Sequence, residues 1–317
     1  SVRSFGPTHE STMTIEELEK AIIEVKERTD APFGVNLRAD AGDAPDRCQL
    51  LIDYGVKVAS FALAPKPELI AKLKEHDIVV IPSIGAPKHA KKVAGWGADA
   101  VMIQGGEGGG HTGAVPTTLL LPTVLDAVDI PVIAAGGFFD GRGLAAALSY
   151  GAAGIGMGTR FLLTQESRVP DAVKQRYLEA DLNGTIVTAK VDGMPHRMLR
   201  TPFVEQVEET STIKRMGPTL RRTREFKKMS GMSWPQLAKD GYQMRKAQGR
   251  TLNQMALAAN TPMMLKAGLV EGDTNAGVLA SGQVVGVIDE LPTCDELITR
   301  VVTQAAAELR RTQSYLI

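Results

Sequence analysis

The feature that most constrains this chain is an alternation. Six short apolar runs lie at Phe33–Leu37, Val56–Leu63, Ile78–Ile84, Ala100–Gln104, Pro131–Ala135 and Gly154–Gly158, and stretches with helix punctuation separate them. Thr14-Ile-Glu-Glu17 reads as a capping box opening a helix, with Leu18, Ile22 and Val25 on one face. Pro67 and Pro87 stand where first-turn prolines are tolerated. Asp140 is placed to cap a helix that ends at Tyr150, before Gly151. Near-continuous apolar strands alternating with helices predict a parallel sheet buried on both faces. A (β/α)8 TIM barrel and a doubly wound sheet both fit that pattern.

The barrel is favoured because ligand-type residues follow several different strands: Asn36, Ser83, Gln104 to His111, Gly136-Gly137 and Gly158-Thr159. A Rossmann sheet would concentrate its glycines after the first strand. A barrel needs eight strands and six are legible, so the expectation is an α/β barrel lacking its first two strands in this chain. Residues 1–180 form the barrel domain in this reading, 181–280 a mainly helical cap, and 281–317 a helix returning to the barrel.

The nine residues Gly105-Gly-Glu-Gly-Gly-Gly-His111-Thr-Gly113 hold six glycines directly after an apolar strand. Residues without Cβ let backbone N–H groups approach a ligand, and His111 is the one group there able to move a proton near neutral pH. A mobile glycine linker is the competing reading. Two further glycine-rich strand ends, Ala134-Ala-Gly-Gly137 with Asp140-Gly-Arg-Gly143, and Gly154-Ile-Gly-Met-Gly-Thr159, match a phosphate site built from backbone N–H groups and a helix N-terminus. Close helix-to-strand packing accounts for some of these glycines as well.

Composition excludes little but narrows the class. Lys+Arg and Asp+Glu both number 36, so charge offers nothing to nucleic acid. No apolar run reaches membrane-span length, no secretory signal is visible, and the two cysteines, Cys48 and Cys294, suggest a reducing compartment. A cytoplasmic enzyme is expected. The five histidines are scattered without metal-ligand spacing, and no nucleophile elbow or Walker sequence appears, which leaves a bound redox cofactor as the economical source of chemistry.

On these segments, together with Met157-Gly-Thr-Arg-Phe161, Pro32-Phe-Gly-Val-Asn36 and Ala280-Ser-Gly-Gln283, the chain resembles the nitronate monooxygenase (2-nitropropane dioxygenase-like) flavoproteins. That family consists of FMN-dependent barrels and includes bacterial enoyl-acyl-carrier reductases. The resemblance implies FMN as cofactor and His111 as the catalytic proton-transfer residue. It implies Gln104, Gly109 and Gly110 near the isoalloxazine, and Gly136, Gly137, Gly158 and Thr159 at the phosphate. Asn36, Ser83 and Gln283 would line the pocket. Phe33–Asp40, Ser60–Lys66, Val191–Arg197 and Asn260–Met263 are similar to an actinobacterial branch acting in steroid breakdown, on the CoA ester of a hydrindane carboxylic acid. In that light the basic run Lys214–Lys228, with Arg221, Arg222 and Arg224, would suit the phosphates of CoA, although a solvated charged face explains it equally well. Oxidation of alkyl nitronates with O2, and NAD(P)H-dependent enoyl-thioester reduction, are the alternative activities. A small-molecule substrate is the expected partner, with no nucleic acid or membrane, and a homodimer is left open.

Overall fold

The computed structural model describes residues 13–191, 193–209, 261–273 and 277–315. Six parallel strands form its main sheet: β1 (Gly34–Arg38), β2 (Val58–Ala62), β3 (Val79–Ile84), β4 (Val101–Gln104), β6 (Val132–Ala135) and β7 (Gly154–Gly156). They pair in chain order, β1-β2-β3-β4-β6-β7, with no reversal. A doubly wound sheet reverses its order at a switch point, so that alternative is excluded. All six strands coincide with the apolar runs of the sequence.

Helices α1 (Ile15–Arg28), α2 (Ala44–Asp53), α3 (Pro67–Lys74), α4 (Pro87–Gly95), α5 (Thr117–Leu125) and α6 (Gly141–Tyr150) punctuate the strands. Strand residues alternate in their facing. Val35, Leu37, Ala59, Phe61 and Val80 pack with Leu51, Ile70 and Leu73 of the helices, and Val101, Ile103, Val132 and Ala134 with Val93, Leu121 and Val124. The intervening residues Asn36, Ser60, Ile81, Ser83, Met102, Gln104, Ile133 and Ala135 are exposed or half-buried. Helices therefore cover one face of the sheet, as in a singly wound α/β arrangement. β3 staggers the sheet, pairing with β2 through Val79–Pro82 and with β4 only through Ser83 and Ile84.

The predicted punctuation forms. Thr14 and Glu17 make both bonds of the capping box, and Pro67 and Pro87 start α3 and α4. Asp140 accepts from the N–H groups of Arg142 and Gly143, and Gly151 ends α6 at φ 103°.

Where the sequence predicts a mainly helical cap, the described residues hold two short strands as well as helices. After α7 (Thr159–Leu162) and α8 (Asp171–Leu178), β8 (Thr185–Thr188) and β9 (His196–Leu199) form an antiparallel hairpin. β9 also pairs with β5 (Gly110–His111), giving a small sheet of order β5-β9-β8. Thr185-Ile-Val-Thr188 is β-branched throughout, a composition that favours a strand over a helix. α9 (Pro202–Glu209) and α10 (Thr261–Leu269) follow; most of the expected cap, including Lys214–Lys228, lies outside the described residues. α11 (Cys294–Gln313) packs on α6 so closely that a Cβ at Gly141 would lie 2.5 Å from the Val301 carbonyl oxygen. Among the described residues no helix is long and apolar enough to cross a membrane.

The two thiols differ sharply. Cys48 is fully buried in α2, and burial pushes its thiol up to about 11, whereas Cys294 is half-buried at the start of α11. A thiol reagent added to the native protein should label Cys294 first. Labelling of Cys48 should follow only on unfolding, and equal rates at the two sites would contradict this burial.

Candidate active site

The glycine-rich segment after β4 is pinned at several points. Gly105 N–H donates to Ala135 O (2.9 Å), Gly106 N–H to Val115 O (2.7 Å) and Gly108 N–H to Gly105 O (3.0 Å). The Gln104 side-chain amide donates to Gly109 O (3.1 Å) and His111 O (2.9 Å). Arg197 reaches back from β9 and donates through Nε and Nη2 to Gly106 O, at 3.2 and 3.0 Å. These bonds rule out a mobile linker. The Glu107 carboxylate caps α5, accepting from Thr117 N–H (3.0 Å), and its backbone oxygen accepts from Gln283 N–H (2.9 Å).

The other glycine-rich strand ends converge on this loop. A Cβ at Gly136 would sit 3.0 Å from Gly105 O, and one at Gly109 would sit 2.5 Å from Gly282 N. Gly282 N–H in turn donates to Thr159 Oγ1 (2.8 Å). Gln104, Gly109, Gly110, His111, Gly136, Gly137, Gly158, Thr159 and Gln283 are thus one cluster at the C-terminal ends of the strands. Asn36 and Ser83 lie on β1 and β3 in the same alternation as Gln104, and Asn36 Oδ1 accepts from Ser60 Oγ (3.0 Å). Arg221, Arg222 and Arg224 lie outside the described residues.

The cluster fits FMN. Gly136 and Gly137 both have positive φ, 95° and 84°, and neither N–H donates to any described protein atom. A Cβ at Gly110 or Gly158 would meet nothing within 4 Å, which leaves a space bordered by backbone. Thr159 Oγ1 accepts from Gly282 and keeps its own proton to donate. The N-terminus of α6 is already satisfied by Asp140 and by Gln304 Oε1, which accepts from Gly141 N–H (2.9 Å). A capping carboxylate repels a phosphate there, whereas the N–H groups of Gly136 and Gly137 and the hydroxyl of Thr159 are donors open to an anion.

His111 is exposed, and its backbone partner across the small sheet is His196, which is only 1% exposed. Their ring centroids are 4.9 Å apart at an interplanar angle of 50°. Burial lowers the pKa of Arg197, opposed by the charge of Glu107, and its guanidinium also donates to Thr185 Oγ1 (2.9 Å). Glu107, His196 and Arg197 are site residues that pattern reading passed over. His196 and Arg197 stood in the segment Val191–Arg197, singled out only for its family resemblance.

The family signature for nitronate monooxygenase matches residues 6–304. The chain belongs to the nitronate monooxygenase family. Within it, the chain is 66% identical over 295 residues to the (3aS,4S,5R,7aS)-5-hydroxy-7a-methyl-1-oxo-octahydro-1H-indene-4-carboxyl-CoA dehydrogenase of Rhodococcus jostii, spanning 93% of this chain and 84% of that one. It is 64% identical over 303 residues to the Mycobacterium tuberculosis protein of the same name, spanning 95% and 85%. Among solved structures, FabK from Thermotoga maritima superposes with a TM-score of 0.77 at 32% identity, covering 96% of this chain and 86% of that one. The nitroalkane oxidase of Streptomyces ansochromogenes gives 0.71 at 25% identity, covering 95% and 87%. This nitronate monooxygenase family member thus shares its fold with FabK and the nitroalkane oxidase.

Proposed function

We propose that this protein is an FMN-dependent dehydrogenase of a bulky acyl-CoA thioester, the steroid-derived hydrindane carboxyl-CoA named for its relatives. The observation that carries this reading is the exposed His111 imidazole, held on a hydrogen-bonded loop beside an open, glycine-lined space. In this reading the six parallel strands are strands 3–8 of a (β/α)8 barrel, and residues 181–280 form the substrate domain.

A thioester acidifies the carbon next to its carbonyl. His111 accepts that α-proton on a ring nitrogen, and general-base work of this kind contributes about 10²–10⁴ in rate. FMN, when bound, supplies the acceptor for the hydride that leaves the β-carbon. Gly136, Gly137, Gly158 and Thr159 would hold its phosphate, and Gln104, Gly109 and Gly110 would line its ring system. Asn36, Ser83 and Gln283 complete the pocket wall. Arg221, Arg222 and Arg224 would pair with the phosphates of CoA.

The test is anaerobic mixing of the FMN-loaded protein with the hydrindane carboxyl-CoA ester and, separately, with propionate 3-nitronate and with NAD(P)H, following flavin absorbance. Prompt bleaching by the CoA ester is expected. Bleaching by the nitronate alone would transfer the protein to nitronate oxidation. Bleaching only by NAD(P)H would make it a reductase.

A further inference from the structure

β5 contains two residues, Gly110 and His111, and the His111 ring projects into an exposed site. A strand this short fixes a backbone, and the orientation of an imidazole on it depends on what the ring itself touches. A group that transfers protons must be held to a fraction of an ångström, and a misplacement of ~1 Å costs on the order of 10²-fold in rate. Something has to hold that ring.

One such contact comes from β9. His111 and His196 are direct partners in the antiparallel pairing, so their side chains stand on the same face of the small sheet. The rings meet at a centroid separation of 4.9 Å, tilted by 50°. His196 is itself fixed, since β9 is the central strand and His196 also pairs with Thr188 of β8. Its neighbours add to the same clamp: Thr112 N–H donates to Pro195 O (3.1 Å), and Arg197 holds Gly106 O. We propose that His196 is a positioning residue, whose buried ring holds the His111 imidazole in its working orientation. This inference rests on the reading of His111 as the proton-transfer residue.

Two substitutions that keep the buried volume test it in the FMN-loaded enzyme, with the hydrindane carboxyl-CoA ester as substrate. His196→Leu fills the space without a planar ring and should lower kcat by about 10–100-fold, with KM within about twofold and FMN content unchanged. His196→Phe restores a ring and should retain kcat to within about threefold. In a His111→Ala background, His196→Leu should change the residual rate by less than about twofold, because its effect passes through the missing imidazole. Wild-type kcat in His196→Leu, equal losses in the Leu and Phe variants, or the same loss with and without His111 would each overturn the proposal. The two readings fail separately. Full turnover by His111→Ala removes the role of His111 itself, whereas an inactive His111→Ala beside a fully active His196→Leu removes only the role of His196.

Discussion

His111→Ala is expected to lower kcat on the CoA ester by about 10²–10⁴-fold while leaving FMN content and thermal stability at wild-type levels. The side chain is exposed, so its removal creates no buried cavity. Its backbone oxygen, which accepts from Gln104, and its pairing with His196 are main-chain features that alanine preserves. The loop should therefore keep its shape while the reaction loses its proton acceptor. Because the ring faces solvent, added imidazole has access to the vacated space and should restore part of the rate. Undiminished turnover with flavin bound would show that another group takes the α-proton. A parallel loss of FMN would instead make His111 a cofactor-holding residue.

What the sequence disclosed, and what it concealed, follows from the range of the interactions involved. The six strands were legible because each is a short, nearly continuous apolar run, the pattern of a buried parallel strand. The ends of α1, α3, α4 and α6 were legible because capping boxes, first-turn prolines and a C-terminal glycine act within a few residues. The glycine-rich loop with His111 was legible for the same reason, since a strand followed by so many glycines is a local signal. The (β/α)8 barrel rests on this sheet order as a proposal, and the chain-order pairing removed only the doubly wound alternative.

Long-range pairing was the part that stayed hidden. His111 and His196 looked unrelated in a list of scattered histidines, and only the β5–β9 ladder makes them neighbours. Arg197 gave no motif, because its target is a backbone oxygen of Gly106 rather than a recognisable partner residue. The hairpin β8–β9 was read as part of a helical cap, since two four-residue strands joined by a turn carry too few residues for periodicity to decide. Asp140 was recognised as a cap, yet the same carboxylate fills the N–H groups that a phosphate would have used.

Gly109→Ala should be a damaging conservative change in the site, lowering both FMN retention and stability. The added Cβ would lie 2.5 Å from Gly282 N and 2.5 Å from the carbonyl carbon of Ser281. Those are backbone atoms, so no side-chain rotation relieves the collision, and one of the two segments must move. Movement of residues 281–283 breaks the Gly282–Thr159 bond (2.8 Å) and the Gln283–Glu107 bond (2.9 Å) together. Movement of the loop instead pulls Gly109 O and His111 O from the Gln104 amide. Overpacking of this kind costs about 1–3 kcal/mol, and two lost hydrogen bonds add about 1 kcal/mol each. Gly110→Ala is the informative comparison, because its Cβ would meet nothing within 4 Å and its only penalty is the φ of 75°. Thermal melts with and without added FMN should show a large drop for Gly109→Ala and a smaller one for Gly110→Ala. Equal, small shifts in both would mean that the loop and residues 281–283 are not packed as tightly as this site requires.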